Sequence, residues 1–240
     1  MYLYGLYIGL SATFLSYLYL KVIPVYVHYI QQGQVADEGL WWQAVSAAYK
    51  HELLLSAPRF WGMTLCFAAV LIAGVHYQWW WPDQPLANLI LGSIWFGTLA
   101  LLARIDRLCF LLPDVLTQLL LWTGLLTAVW HPEGQLAAAV LAAVGVYVVG
   151  RILNKIAELV IKQPLLGLGD VKLLAAVAVW LGWQLIPLLF LLACLLCIGV
   201  EGWRQRRWRV SGYCAFGPYI VWATLGIWLA PAPWIELLGV

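Results

Sequence analysis

Long apolar runs separated by short polar breaks make up the pattern of this chain. A bilayer crossing takes about 20 apolar residues. Runs approaching that length fall at roughly 2–20, 60–78, 86–103, 115–130, 135–150, 170–182, 185–200 and 215–230. Several are short and are expected to extend into their flanks. Pro and Gly punctuate the breaks, as in Trp81-Pro82-Asp83-Gln84-Pro85, His131-Pro132-Glu133-Gly134 and Gly182-Trp183-Gln184. The pattern predicts an all-α polytopic membrane protein of about eight transmembrane helices, without internal repeats.

Composition agrees: 64% of the 240 residues are hydrophobic and 10% are charged, against about 25% charged in a soluble domain. A net charge of +2, with basic residues scattered rather than striped, implies membrane lipid and no nucleic acid as a partner. The cysteines, Cys66, Cys109, Cys194, Cys197 and Cys214, lie in or beside apolar segments and read as reduced packing residues. The N-terminal run lacks the basic region and cleavage site of a signal peptide and is expected to be a retained span.

Charge also orients the spans, because cytoplasmic loops carry the excess Lys and Arg. With the N-terminus outside, the inner segments hold Lys21, Lys50 and Arg59; Arg104 and Arg107; Arg151, Lys155, Lys162 and Lys172; and Arg204, Arg206, Arg207 and Arg209. These are all 13 basic residues. The outer breaks hold Trp79, Trp80, Trp81, Trp130 and Trp183, as an interfacial belt would. Both termini are therefore expected on the outer, periplasmic side.

That topology puts two carboxylates on the inner face. Asp170 stands in Leu166-Gly167-Leu168-Gly169-Asp170-Val171-Lys172-Leu173-Leu174, where an apolar helix begins, and Asp106 is expected in the loop before the fourth span. An ionisable group at the edge of a span is costly to desolvate and reads as functional. Two carboxylates sharing a site cannot both ionise cheaply, so one holds a proton while the other stays charged. Such a dyad can activate water against a carbonyl without a metal or cofactor. Gly167 and Gly169 would let a substrate backbone approach closely and let the chain turn just before the helix. Lys172 would tune Asp170, bind backbone carbonyls or anchor the inner face. Asp114, after Pro113 at a helix start, is expected to cap backbone amides, with a substrate contact as the alternative.

These motifs resemble those of the type IV prepilin peptidases, a family of GxGD aspartic proteases. The resemblance rests on Gly167-Leu168-Gly169-Asp170-Val171-Lys172 with Trp180-Leu181-Gly182-Trp183, and on Ile105-Asp106 followed by Leu111-Leu112-Pro113-Asp114. Ala215-Phe216-Gly217-Pro218-Tyr219 is similar to the family's final motif, and Gly5-Leu6-Tyr7-Ile8-Gly9 is a weaker echo at the start. It covers roughly residues 95–230. The resemblance implies catalytic Asp106 and Asp170, and cleavage of a short basic leader from type IV prepilin or pseudopilin precursors of pili and type II secretion. It also implies a multi-pass protein of the bacterial inner membrane whose active site faces the cytoplasm. Residues 1–240 would form one integral membrane domain, with 86–230 as its catalytic core.

One departure matters. Typical members carry two Cys-x-x-Cys pairs in the first cytoplasmic loop, a zinc site tied to methylation of the new N-terminus by S-adenosylmethionine. The corresponding segment here, residues 21–59, contains no cysteine and reads as a shortened loop. No metal and no cofactor is expected for proteolysis, and S-adenosylmethionine only if methylation is retained. Asp37, Glu38, His51 and Glu52 in this segment read as solvated linker residues before they read as a leader contact.

The Cys194 and Cys197 pair lies mid-span and reads as helix packing, and His28, His51, His76 and His131 lack metal-ligand spacing. Arg204–Arg209 reads as a topology and lipid determinant, and Ala142, Ala143 and Gly145 as packing positions. Two alternatives stand beside the prepilin reading. Paired carboxylates also serve proton- or ion-coupled transporters, though usually at the midplane and between repeats. A GxGD protease acting on preflagellin-like substrates is the other.

Overall fold

The computed structural model describes residues 22–32, 85–130, 135–206 and 214–228, with isolated positions 14, 15, 18, 43 and 44. Every regular element among them is helical. These are α1 (Ile23–Gln31), α2 (Pro85–Cys109), α3 (Asp114–Trp130), α4 (Leu136–Ile161), α5 (Leu168–Leu181), a 3-10 turn (Trp183–Leu185), α6 (Ile186–Gln205) and α7 (Gly217–Trp228). The third to eighth apolar runs thus each fall on a helix. Apart from positions 14, 15 and 18, the first two runs lie outside the described residues, as do Asp37, Glu38, His51 and Glu52.

Two helices outrun their apolar segments. Arg104, Asp106, Arg107, Arg151 and Lys155, expected in connecting loops, lie on α2 and α4. The reason is local: Leu, Ala, Arg, Lys and Glu all propagate a helix well, so hydropathy ends before the helix does. Each helix stops where the backbone turns left-handed, at Phe110 (φ 56°) after α2 and at Lys162 (φ 56°) after α4. Within the segment read as a loop, residues 21–59, α1 forms with Pro24 in its first turn. It buries Ile23, Tyr26 and Val27.

The chain divides into two compact units, Met1–Cys109 and Phe110–Val240. In the first, α1 packs on α2. Trp95, Leu99 and Leu102 are fully buried, and their spacing of four and three continues to Asp106. One helical stripe therefore carries three apolar side chains and then the carboxylate.

In the second unit α5 is the innermost helix, packed against α4, α3 and α7. Val171 and every residue from Leu173 to Ala178 are buried. A helix apolar on all sides has to be enclosed, and three alanines (Ala175, Ala176 and Ala178) let its neighbours come close. A Cβ added at Gly150 on α4 would lie 2.8 Å from Val171 Cγ1, and one at Gly124 on α3 would lie 2.6 Å from Trp180 Nε1. Trp180 uses that gap to donate its indole N–H to the carbonyl of Leu120 (2.9 Å).

α4, and α6 together with its preceding 3-10 turn, are long and apolar enough to cross a membrane. On α4 the apolar side chains point outward: Leu141 is 71% exposed and Leu159 75%. Its 26 residues reach about 39 Å at about 1.5 Å per residue, beyond the roughly 30 Å of a hydrocarbon core. So large an exposed apolar surface suits lipid better than water.

Candidate active site

The start of α5 carries the GxGD residues. Gly167 precedes the helix with φ −58° and ψ 145°, and its carbonyl accepts the first helical bond, from the Val171 amide (3.2 Å). Asp170 stands in the first turn, where the helix dipole favours negative charge. Its Oδ1 is buried. Its other oxygen lies over Gly167, since a Cβ there would be 2.9 Å from Oδ2. Gly167 thus supplies space for a carboxylate and not an unusual backbone angle.

Gly169 meets a different neighbour. A Cβ there would sit 3.0 Å from Leu112 Cβ, so the Leu111-Leu112-Pro113-Asp114 segment lies directly against the start of α5. The same two segments share an ion pair: Lys172 Nζ donates to Asp114 Oδ1 (2.6 Å) and Oδ2 (2.8 Å). Positions 170 and 172 are about 200° apart around a helix of 3.6 residues per turn. Asp170 and Lys172 therefore leave α5 on different sides, and the ammonium goes to Asp114. Lys172 also lines a groove of about 350 Å³ with Thr117, Gln118, Leu121, Ala143, Val144, Tyr147 and Ala175.

Asp114 opens α3. The carbonyl of the preceding Pro113 accepts the amides of Leu116 and Thr117 (both 3.2 Å). Asp106 stands one turn before the end of α2 and is only 5% exposed. Beside it Cys109 Sγ donates to the Ile105 carbonyl (3.1 Å). Asp106 belongs to the first unit, whereas Gly167, Gly169, Asp170, Lys172 and Asp114 belong to the second.

Three arrangements were not visible in the sequence. Asn154 on α4 pairs with the backbone of Leu166: Nδ2 donates to its carbonyl (2.8 Å) and Oδ1 accepts its amide (2.9 Å). Tyr219, next to the Phe216-Gly217-Pro218 motif, donates its hydroxyl to Glu201 Oε1 (2.8 Å). Cys197 Sγ on α6 lies 3.2 Å from Cys214 Sγ. Only Asn154 left a trace that sequence reading could have used, as a polar side chain in a helix within a dozen residues of the GxGD turn. Among the described residues no group of three or more His, Cys, Asp or Glu side chains could hold a metal.

Among the described residues every element is helical, and the innermost helix of the second unit opens on a glycine-flanked carboxylate. Comparison with known proteins gives this class a family. The family model described as "Type IV leader peptidase family" matches residues 93–201. Several curated relatives carry the name prepilin leader peptidase/N-methyltransferase. The one from Aeromonas salmonicida is 39% identical over 197 residues, 81% of this chain and 59% of the relative. The one from Dickeya chrysanthemi is 39% identical over 152 residues, 62% of this chain and 52% of the relative. The Escherichia coli (strain K12) protein is 36% identical over 169 residues, 68% of this chain and 69% of the relative. No solved structure matches. The chain belongs to the type IV leader peptidase family, and spans little more than half the length of the Dickeya and Aeromonas relatives.

Proposed function

We propose that this chain is a membrane-embedded aspartic endopeptidase that removes the short basic leader from type IV prepilin or pseudopilin precursors. Asp106 and Asp170 are its dyad. The ionised carboxylate takes a proton from water as the oxygen attacks the scissile carbonyl, and the protonated one donates to the carbonyl oxygen. The resulting tetrahedral diol collapses as the C–N bond breaks and the leaving amine takes up a proton. Which aspartate holds the proton is a property of the pair.

The observation that carries this reading is Asp170 itself: a carboxylate with one oxygen buried and the other over a glycine, at the start of the second unit's innermost helix, in a member of this family. The outward apolar faces of α4 and α6 support membrane embedding. The distribution of Lys and Arg supports eight spans with both termini outside and the site at the cytoplasmic face of the inner membrane. A basic leader would remain in the cytoplasm while the hydrophobic mature helix lies in the bilayer. Because residues 21–59 hold no cysteine, the proposal covers proteolysis and not methylation.

Mass spectrometry of a cognate prepilin co-expressed with this chain, or with its Asp170→Asn or Asp106→Asn variant, tests the reading. Leader loss with the native chain and none with either inserted variant is expected. Full cleavage by either variant would remove the dyad, and an intact precursor beside well-inserted native chain would remove the peptidase. An added methyl mass on the new N-terminus would show methylation without the cysteine pairs.

A further inference from the structure

Asn154 stands on α4 among the exposed charges of Arg151, Lys155 and Glu158, yet its own side chain is turned inward and the residue is 5% exposed. Burial of an amide is costly unless both its donor and its acceptor are used. Here both go to one residue, Leu166, whose carbonyl and amide pair with Nδ2 and Oδ1. A backbone residue paired through both groups in this way has the two peptide planes beside it held. Leu166 immediately precedes Gly167, whose carbonyl starts α5, and Asp170 follows within that first turn.

We propose that Asn154 is a positioning residue for Asp170: it clamps the backbone of Leu166 and thereby sets the direction in which the chain enters α5. The inference rests on the peptidase reading above. Space alone does not explain the residue, because a leucine of similar size would fill the same volume and leave Leu166 unpaired. Only a side chain with a donor and an acceptor side by side satisfies both Leu166 groups. An ionised aspartate offers two acceptors and sets one against the Leu166 carbonyl; a protonated aspartic acid restores one donor and one acceptor.

That difference gives a test that a merely space-filling residue would not pass. Purified full-length enzyme in detergent, as native chain, Asn154→Leu and Asn154→Asp, is assayed on a purified prepilin between about pH 5 and 8, around the range where a perturbed carboxyl titrates. Asn154→Leu is expected to lose about 10- to 100-fold in kcat, since a misplacement of up to 1 Å costs of that order. Its KM is expected to stay within a few-fold, because the clamp acts on the backbone of Leu166 and through it on Asp170. Asn154→Asp is expected to recover relative to the native chain as pH falls, while Asn154→Leu does not. Arg151, Lys155 and Glu158, which line the groove that Asn154 also lines, are present in all three proteins, so their own effect on cleavage drops out of the ratio, while their charges set where in the pH range the introduced carboxyl recovers. Amide hydrogen exchange supplies a reading independent of cleavage: the peptide covering 163–170 exchanges faster in Asn154→Leu, and that covering 173–181 does not. Native kcat in both variants, or equal losses with no pH dependence, would overturn the clamp. Should the native chain cleave nothing, the peptidase reading fails, and unchanged exchange at 163–170 would separately dispose of the clamp.

Discussion

Replacing Gly167 with alanine isolates the space that Asp170 occupies. The new Cβ would lie 2.9 Å from Asp170 Oδ2, whereas ordinary C···O contacts begin at about 3.3–3.6 Å. The carboxylate therefore has to retreat by roughly 0.4–0.7 Å. It can do so by turning, at about 0.5–1.5 kcal/mol if it leaves its rotamer by about 30°. The backbone contributes little strain, since φ −58° and ψ 145° are open to alanine. Alanine is poorer than glycine before a helix by about 0.5–1 kcal/mol, and the less flexible unfolded chain returns about 0.4–1 kcal/mol. Stability should thus fall by no more than about 2 kcal/mol. Activity should suffer more: with about 100-fold lost per 1 Å of misplacement, half that distance gives on the order of 10-fold in kcat. Cleavage kinetics on a purified prepilin, read beside thermal unfolding in detergent, test this, with Gly145→Ala as the control because its added Cβ meets nothing within 4 Å. A Gly167→Ala enzyme with native kcat would refute the role assigned to this glycine. So would a loss of activity that follows a loss of fold.

Gly124→Ala should destabilise the second unit. Overpacking against Trp180 costs about 1–3 kcal/mol and the displaced indole bond about 0.5–1.5 kcal/mol, less about 1 kcal/mol of helix propensity. Gly145→Ala should instead stabilise by up to about 1 kcal/mol; equal shifts in unfolding temperature would show that α3 and α5 do not approach this closely. Lys172→Met should lower stability by at most about 1 kcal/mol, because its pair with Asp114 is 32% and 56% exposed and such pairs contribute little. The difference should shrink in 1 M salt, where the screening length is about 3 Å, and a salt-independent loss above that size would mean that Lys172 acts through something else. Reporter fusions in the breaks near 82, 132 and 183 should all report the outside, and one cytoplasmic result would break the eight-span topology.

The helices of residues 85–228 were legible because each apolar run is local and a helix satisfies its own backbone along it. Their ends were less so. Hydropathy falls at Arg104 and Arg151, yet the helices continue to Cys109 and Ile161, since arginine and lysine sustain a helix that apolarity no longer marks. Asp106 consequently lies on a buried helical stripe and not in a loop. The partner of Lys172 could not be read at all. Asp170 is the nearest carboxylate in sequence, but two residues along a helix point to different sides, and Asp114 lies 58 residues away.

By itself the sequence determined the all-helical class, the resemblance that the family match upholds, and Asp106 and Asp170 as the candidate carboxylates. Spans and short motifs are contiguous in the chain, so their chemistry survives without a fold. Tertiary structure alone decided that α5 is the innermost helix of its unit, that Lys172 faces Asp114, that Gly167 leaves room for an oxygen, and that Asn154 holds Leu166. Each depends on which helical face turns inward, and that follows from the packing of several helices at once, a property no single stretch of sequence contains.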